Sequence, residues 1–178
     1  MNKPSLWHII KEDFSMPAKN DPAYHSAIEL FFNYPGIWAV VNHRIAHRLH
    51  VNGFKRLARI IMGITQMITN IDLHPGAQVG RRVFFDHAIG VVVGETAIIG
   101  NDVLIYQGVT LGGVNLEKGV KRHPTIKDGA VIGSGAKVIG DITIGANCRI
   151  GSNSVVVKNV PDDSTAVGIP ARVIEKGR

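Results

Sequence analysis

Every sixth residue from Ile126 to Val156 is aliphatic: Ile126, Ile132, Val138, Ile144, Ile150, Val156. Four places after each stands a second, mostly small column: Ala130, Ala136, Ile142, Cys148, Ser154, Val160. An earlier block repeats the pattern at Leu73, Val79, Phe85 and Val91, with Ala77, Val83 and Ile89 in the second column. The frame then slips by two residues to Val93, Ile99, Ile105 and Leu111. A period of six fits neither an amphipathic helix nor an alternating strand. It fits a parallel β-helix, in which each short strand ends at a corner, three hexads complete a turn, and neighbouring coils bury a continuous core.

Composition agrees with this reading. Of 20 glycines, 15 lie between Gly76 and Gly151, where they suit tight corners and would weaken helices. The strict every-third-residue spacing of collagen is absent. The lone cysteine, Cys148, excludes a disulfide scaffold and falls in the small inward column, so it reads as structural. The net charge of +6 permits an anionic ligand without naming one. There is no signal-peptide pattern and no apolar run of bilayer length, so the expected location is the cytoplasm.

Two regions are expected, an N-terminal helical region over 1–70 and a β-helix over 71–178 with a C-terminal extension. Ser5 is expected to cap a helix running to about Ser15. Asp21-Pro22-Ala23 reads as a second helix start reaching about Asn33. A third helix is expected over 37–51, with Trp38, Val41, Ile45 and Leu49 on one side. A fourth follows Gly53, from Phe54 to Thr69. From Phe31 to Ile71 there is no acidic residue, while Arg44, Arg48, Lys55, Arg56, Arg59, His43, His47 and His50 all fall there. With no nucleic-acid motif present, this reads as a solvated face or a subunit contact, not a nucleic-acid or membrane surface.

The hexads break between Leu111 and Ile126. The intervening Gly112–Pro124 is polar and glycine-rich, the mark of a loop leaving the solenoid at a functional or subunit-contact face. It brings Arg122 and His123 together beside Pro124.

At this point the sequence resembles the serine O-acetyltransferases of bacteria and plants, within the hexapeptide-repeat acyltransferases. The matching stretches are Asp21-Pro22-Ala23, Asp72-Leu73-His74-Pro75, Asp86-His87-Ala88, Gly90–Thr96, Val109–Gly113 and Arg122-His123-Pro124, with Gly168–Arg172 shared more widely. The resemblance implies helices followed by a left-handed parallel β-helix. It also implies a homotrimer with active sites between subunits, and transfer of acetyl from acetyl-CoA to the L-serine hydroxyl in cysteine biosynthesis. His87 matches the catalytic base, an imidazole suited to proton transfer near neutrality. Asp72 matches the carboxylate that orients it. Arg122 and His123 match residues near the substrate carboxylate, and Asp86 and Asp21 those holding its ammonium group. Gly112, with Gly113, Ala130 and Gly133, are the cofactor-site candidates for acetyl-CoA.

No metal is expected. His74, His87 and His123 could otherwise suggest a three-histidine site of the β-helical carbonic anhydrase kind. The alternative acceptor is a sugar or polysaccharide; a non-enzymatic assembly module is the remaining class. The family's larger helical front and its C-terminal tail ending in isoleucine are not in this sequence. It is therefore expected to form a free trimer in preference to a paired hexamer, and to lack the usual tail-mediated complex with O-acetylserine sulfhydrylase. Cysteine, which resembles serine, is a candidate inhibitor.

Overall fold

The computed structural model describes residues 4–174. Four helices come first: α1 (Leu6–Asn20), α2 (Glu29–Phe32), α3 (Pro35–Val51) and α4 (Lys55–Thr69). The chain then winds through short strands. The first coil holds β1 (Asp72–Leu73), β2 (Gln78–Val79) and β3 (Phe84–Phe85). The second holds β4 (Val92–Val93), β5 (Ile98–Ile99) and β6 (Leu104–Ile105). The third holds β7 (Thr110–Gly112), β8 (Thr125–Ile126) and β9 (Val131–Ile132). The fourth holds β10 (Lys137–Ile139), β11 (Thr143–Ile144) and β12 (Arg149–Ile150). The stack ends with β13 (Val155–Val156) and the antiparallel pair β14 (Thr165–Gly168) and β15 (Ala171–Ile174).

Like strands of successive coils pair in parallel, making three faces. Face A runs β1-β4-β7-β10-β13, face B β2-β5-β8-β11, and face C β3-β6-β9-β12-β14, closed by β15. One apolar residue from nearly every coil strand points into the prism. Leu73, Phe85, Val93, Ile99, Ile105, Leu111, Ile126, Ile132, Val138, Ile144, Ile150 and Val156 are all at most 2% exposed. Each such burial contributes about 1.5–3 kcal/mol, an upper figure because the unfolded chain already hides some surface. Cys148 is buried in the small column, its thiol donating to the Pro161 carbonyl at 2.7 Å.

Register locates the irregularities. Between face-A partners the chain advances 18 residues from Val92 to Thr110 and from Lys137 to Val155. It advances 20 from Asp72 to Val92 and 27 from Thr110 to Lys137. The larger excess is the loop between β7 and β8. The smaller one, two residues, falls between β3 and β4. The slip therefore comes directly after Phe85, not after Val91. This corrects the reading of Val91 and Ile89. Val91 occupies the small column of the second coil, whereas Ile89 is 57% exposed on the widened corner.

The helical front also departs from expectation. Ser5 does cap α1, accepting from the His8 N–H at 3.2 Å, but the helix runs through Pro17 to Asn20. Residues 21–28 form turns, not a helix. Asp21 accepts the Ala23 N–H on Oδ1 at 2.8 Å, an Asx turn whose side-chain bond competes with helix entry. Only α2 is helical before Pro35, which starts α3 at its first turn. On α3 the buried side holds Ile37, Val40, Val41 and Arg44, while Ile45 is exposed. Arg44 is no part of a solvated face. It makes a two-pronged ion pair with the buried Asp13 and donates to the Val79 and Gly80 carbonyls, tying α1 and α3 to β2. Gly36 lies against β3 so closely that a methyl there would overlap the Phe85 carbonyl. That contact sets the start of α3 beside the widened corner. No described helix is long and apolar enough to cross a membrane.

Candidate active site

The two extra residues at the corner between faces C and A are absorbed by an unusual backbone. His87 and Ala88 both sit in the left-handed region, at φ 54° and 59°. Ordinary corners of the coil hold one such non-glycine residue, as at Arg82, Asp102, Asn147 and Asn153, each costing on the order of 1–2 kcal/mol; two in succession mark this corner. The corner is held by the Ile89 N–H on the His87 carbonyl at 2.8 Å and the Gly90 N–H on the Asn70 carbonyl at 2.8 Å. The result projects His87 outward, its side chain 73% exposed, with Nε2 4.0 Å from Oδ1 of the mostly covered Asp86.

The helical front supplies a second carboxylate. Asp21 Oδ2 accepts the Tyr34 hydroxyl at 2.6 Å while Oδ1 is engaged by Ala23 N–H. These bonds, the tyrosine first, hold the Asp21 carboxyl below its ordinary range, and the positive field of His87 adds to them. Burial pushes Asp86 the other way, upward, and the neighbouring Asp21 charge reinforces this against the opposing pull of His87. Burial and the Asp21 carboxylate push the Tyr34 hydroxyl well up, so it remains a donor. Two carboxylates and one imidazole thus share one electrostatic neighbourhood. Tyr34, thirteen positions from Asp21, carries no motif and was missed from sequence.

Asp72 lies on the coil beneath. Its N–H bonds the Val91 carbonyl at 2.9 Å, so 70–72 and 90–91 run side by side. Among the described residues no hydrogen bond or ion pair joins Asp72 to His87; the carboxylate nearest the imidazole is that of Asp86.

Arg122 and His123 occupy a different corner, between faces A and B, where the long loop rejoins β8. His123 is 7% exposed. Its Nδ1 faces Thr96, 3.2 Å from the N–H and 2.9 Å from Oγ1. The same Oγ1 accepts the backbone N–H of Arg122 at 3.0 Å and of His123 at 3.2 Å. The Arg122 guanidinium reaches Glu95 at 3.3 Å and the Glu117 carbonyl at 3.0 Å. Gly94 is required beneath the His123 ring, since a methyl there would overlap it. Burial, then the Arg122 and Lys121 charges, lower the His123 pKa, favouring the neutral ring. This pair borders an open cavity of about 680 Å³, lined also by Glu95, Gly113 and Asn115. The Gly94-Glu95-Thr96 stretch was visible in sequence, but its service to Arg122 and His123 was not.

The site residues therefore form two groups at opposite ends of β4. Asp21, Asp86 and His87 come together; Arg122 and His123 come together; among the described residues no hydrogen bond or ion pair links the groups. The cofactor candidates divide likewise. Gly112 and Gly113 accompany Arg122, whereas Gly133 lies at the His87 corner two coils further on, packed on Ile150 and Ser152 backbone. Ala130 is fully buried in the small column, its carbonyl accepting the Leu104 N–H at 3.0 Å, so any ligand contact at this point would fall to its neighbours. His74, His87 and His123 do not converge, and among the described residues no three His, Cys, Asp or Glu side chains are grouped to hold a metal.

Residues 123–158 match the family described as "Bacterial transferase hexapeptide (six repeats)". A serine acetyltransferase from Neisseria gonorrhoeae, solved in complex with serine, superposes with a TM-score of 0.87 at 40% identity, covering 94% of this chain and 68% of that one. A serine acetyltransferase solved in complex with cysteine superposes at 0.92, with 40% identity and coverage of 99% and 68%. The three-faced coil with its interrupting loop is that of a hexapeptide-repeat acyltransferase, a left-handed parallel β-helix. In sequence, the serine acetyltransferase of Bacillus subtilis is 52% identical over 169 residues, 95% of this chain and 77% of its own. That of Mycobacterium tuberculosis is 52% identical over 165 residues, 93% and 72%. The chain belongs to the serine acetyltransferase family.

Proposed function

We propose that the enzyme, a serine O-acetyltransferase, moves acetyl from acetyl-CoA to the L-serine hydroxyl with His87 as general base. The observation that carries this assignment is the corner itself. Two residues added to an otherwise six-residue repeat hold an exposed imidazole beside Asp86 and Asp21. A serine hydroxyl is a weak nucleophile at neutral pH. His87 takes its proton as Oγ bonds the thioester carbonyl carbon. The tetrahedral oxyanion then collapses, the C–S bond breaks, and the imidazolium returns the proton to the departing CoA sulfur. No covalent protein intermediate is involved.

Asp86 and Asp21 offer the negative charge that the serine ammonium group needs, with Tyr34 anchoring Asp21. Arg122 and His123 are suited to its carboxylate. Because these two groups occupy different corners of one chain, a homotrimer that sets the Arg122 corner of one subunit against the His87 corner of the next would complete each site. Asp72 is the orienting carboxylate of this reading, supported by its place on the coil stacked beneath His87. Gly112 and Gly113, with backbone near Ala130 and Gly133, are the proposed CoA contacts. Cysteine, sharing serine's ammonium and carboxylate, would compete at the same groups. The reaction belongs to cysteine biosynthesis in the cytoplasm. Any O-acetylserine sulfhydrylase contact through the C-terminal end concerns residues 175–178, outside the described residues.

Acetyl transfer measured with L-serine, homoserine and sugars as acceptors tests the substrate. Efficient transfer to a sugar and not to serine would remove this reading. His87→Ala should lower kcat by about 10²–10⁴-fold while native mass is unchanged; near-normal turnover would exclude His87 as base.

A further inference from the structure

Thr96 hydrogen-bonds both members of the Arg122–His123 pair, through its hydroxyl and its backbone N–H. Its hydroxyl oxygen has two lone pairs and one hydrogen. Both lone pairs are occupied, by the backbone N–H groups of Arg122 at 3.0 Å and His123 at 3.2 Å. Its hydrogen is left for the third neighbour, His123 Nδ1, at 2.9 Å. The Thr96 backbone N–H also points at Nδ1, at 3.2 Å. Two donors aimed at one ring nitrogen leave no place for a hydrogen on it.

We infer that Thr96 is a positioning residue that locks His123 in the Nε2–H tautomer and fixes the backbone carrying Arg122, so that both side chains present donors to an anionic group. The neutral imidazole has one donor and one acceptor, and the hydrogen bond at one nitrogen dictates the other's role. With Nδ1 engaged as acceptor, Nε2 is a donor. It lies on the Gly94 and Gly113 side of the ring, the side of the open cavity. Were the tautomer reversed, Nε2 would turn a lone pair toward a carboxylate and repel it. The inference rests on the reading of Arg122 and His123 as the carboxylate side of the serine site. It adds that the recognition depends on a hydroxyl 26 residues earlier in the chain, on the preceding coil.

The experiment uses the intact enzyme labelled with ¹⁵N-histidine. Wild-type His123, assigned by loss of its signals in His123→Ala, should show a protonated Nε2 and an unprotonated Nδ1. A protonated Nδ1 would overturn the inference outright, whatever the substrate role. Thr96→Val keeps the branched shape and removes the hydroxyl. It should raise the serine KM by about tenfold or more, the scale of one charge-assisted hydrogen bond. The acetyl-CoA KM should stay within about twofold of wild type on the same reasoning. Thr96→Ser, which restores the hydroxyl, should return the serine KM toward wild type. A serine KM unchanged in Thr96→Val, or no rescue by Thr96→Ser, would also overturn it. If His123→Ala itself leaves the serine KM unchanged, the carboxylate reading fails, while the tautomer in the wild-type spectrum still judges the Thr96 lock.

Discussion

The coil and the helical front are held together by different means. In the coil, an inward column from Leu73 to Val156 is repeated strand after strand, and each residue's surroundings are copies of its neighbours'. The front has no such redundancy. It shares buried apolar clusters with the first coil, through Ala39, Val40 and Met62 and through Ile37 against Phe84, and its polar ties to the coil are made by single residues: Arg44, held by Asp13, to Val79 and Gly80, and Glu12 to Arg81. It also leaves much apolar surface uncovered, with Phe32, Met67 and Ile68 each nearly four-fifths exposed. A repeated core tolerates local insertion, so the coil can host the two-residue corner and the long loop. The front is where one substitution undoes an arrangement.

Deleting His87 and Ala88 together puts this contrast to its hardest test. The deletion restores the 18-residue step between β1 and β4. The coil should fold with its β signature intact, while transfer falls by at least about 10²-fold through loss of the base. An unfolded product would show that the corner is structural and not an addition to a self-sufficient repeat.

Arg44→Met is the next largest. It leaves Asp13 buried without its partner, at a cost of about 3–5 kcal/mol. Thermal unfolding followed by circular dichroism should show the helical signal melting earlier than the coil. A single shifted transition would mean that front and coil are one cooperative unit.

Tyr34→Phe removes only the hydroxyl that bonds Asp21. Loss of a hydrogen bond to a charged group costs about 1.5–3 kcal/mol, so the melting temperature should fall by about 3–12 °C, and the serine KM should rise by roughly tenfold as Asp21 loses its anchor. An unaltered KM would detach Asp21 from serine binding.

The smallest effect is a slope. Burial first, with the charges of His47 and Arg44 behind it, lowers the pKa of His43 from 6.5 to about 3. His74, on β-helix residues facing the same helix, is lowered to about 4, chiefly by burial with Arg59 second. Both are neutral when folded and charged more readily when unfolded, so their contribution is complete above about pH 6.5 and is lost as pH falls toward 3. Stability should decline by about 1.4 kcal/mol per pH unit per group across that window. His43→Met should flatten the slope, as measured by denaturant midpoints from pH 7 to 5; an unchanged slope would exclude His43 as its source.

Much of the coil was readable because its signal is local and repeated. The period identified the stack, the inward columns, Cys148 as core and the loop after Gly112. It misplaced the slip by six residues, because Val91 is aliphatic and fits either column; only the pairing of Asp72 with Val92 shows which one it fills. In the front, Asp21-Pro22-Ala23 has the letters of a helix start, and the Asx turn and the Tyr34 bond chose otherwise. Arg44 read as surface because a basic residue among basic residues gives no hint of the buried Asp13, 31 positions away.

Repeat spacing and resemblance, both properties of the string of residues, were enough to establish the kind of fold, the reaction family and the residues to inspect. Which corner each residue occupies was decided only in three dimensions. So were the left-handed turn at His87 and the use of one Thr96 hydroxyl by two backbone groups and a ring nitrogen. A six-residue period states what each strand needs from its nearest neighbours. It is silent about contacts that join coils to helices across tens of residues, and this site is made of such contacts.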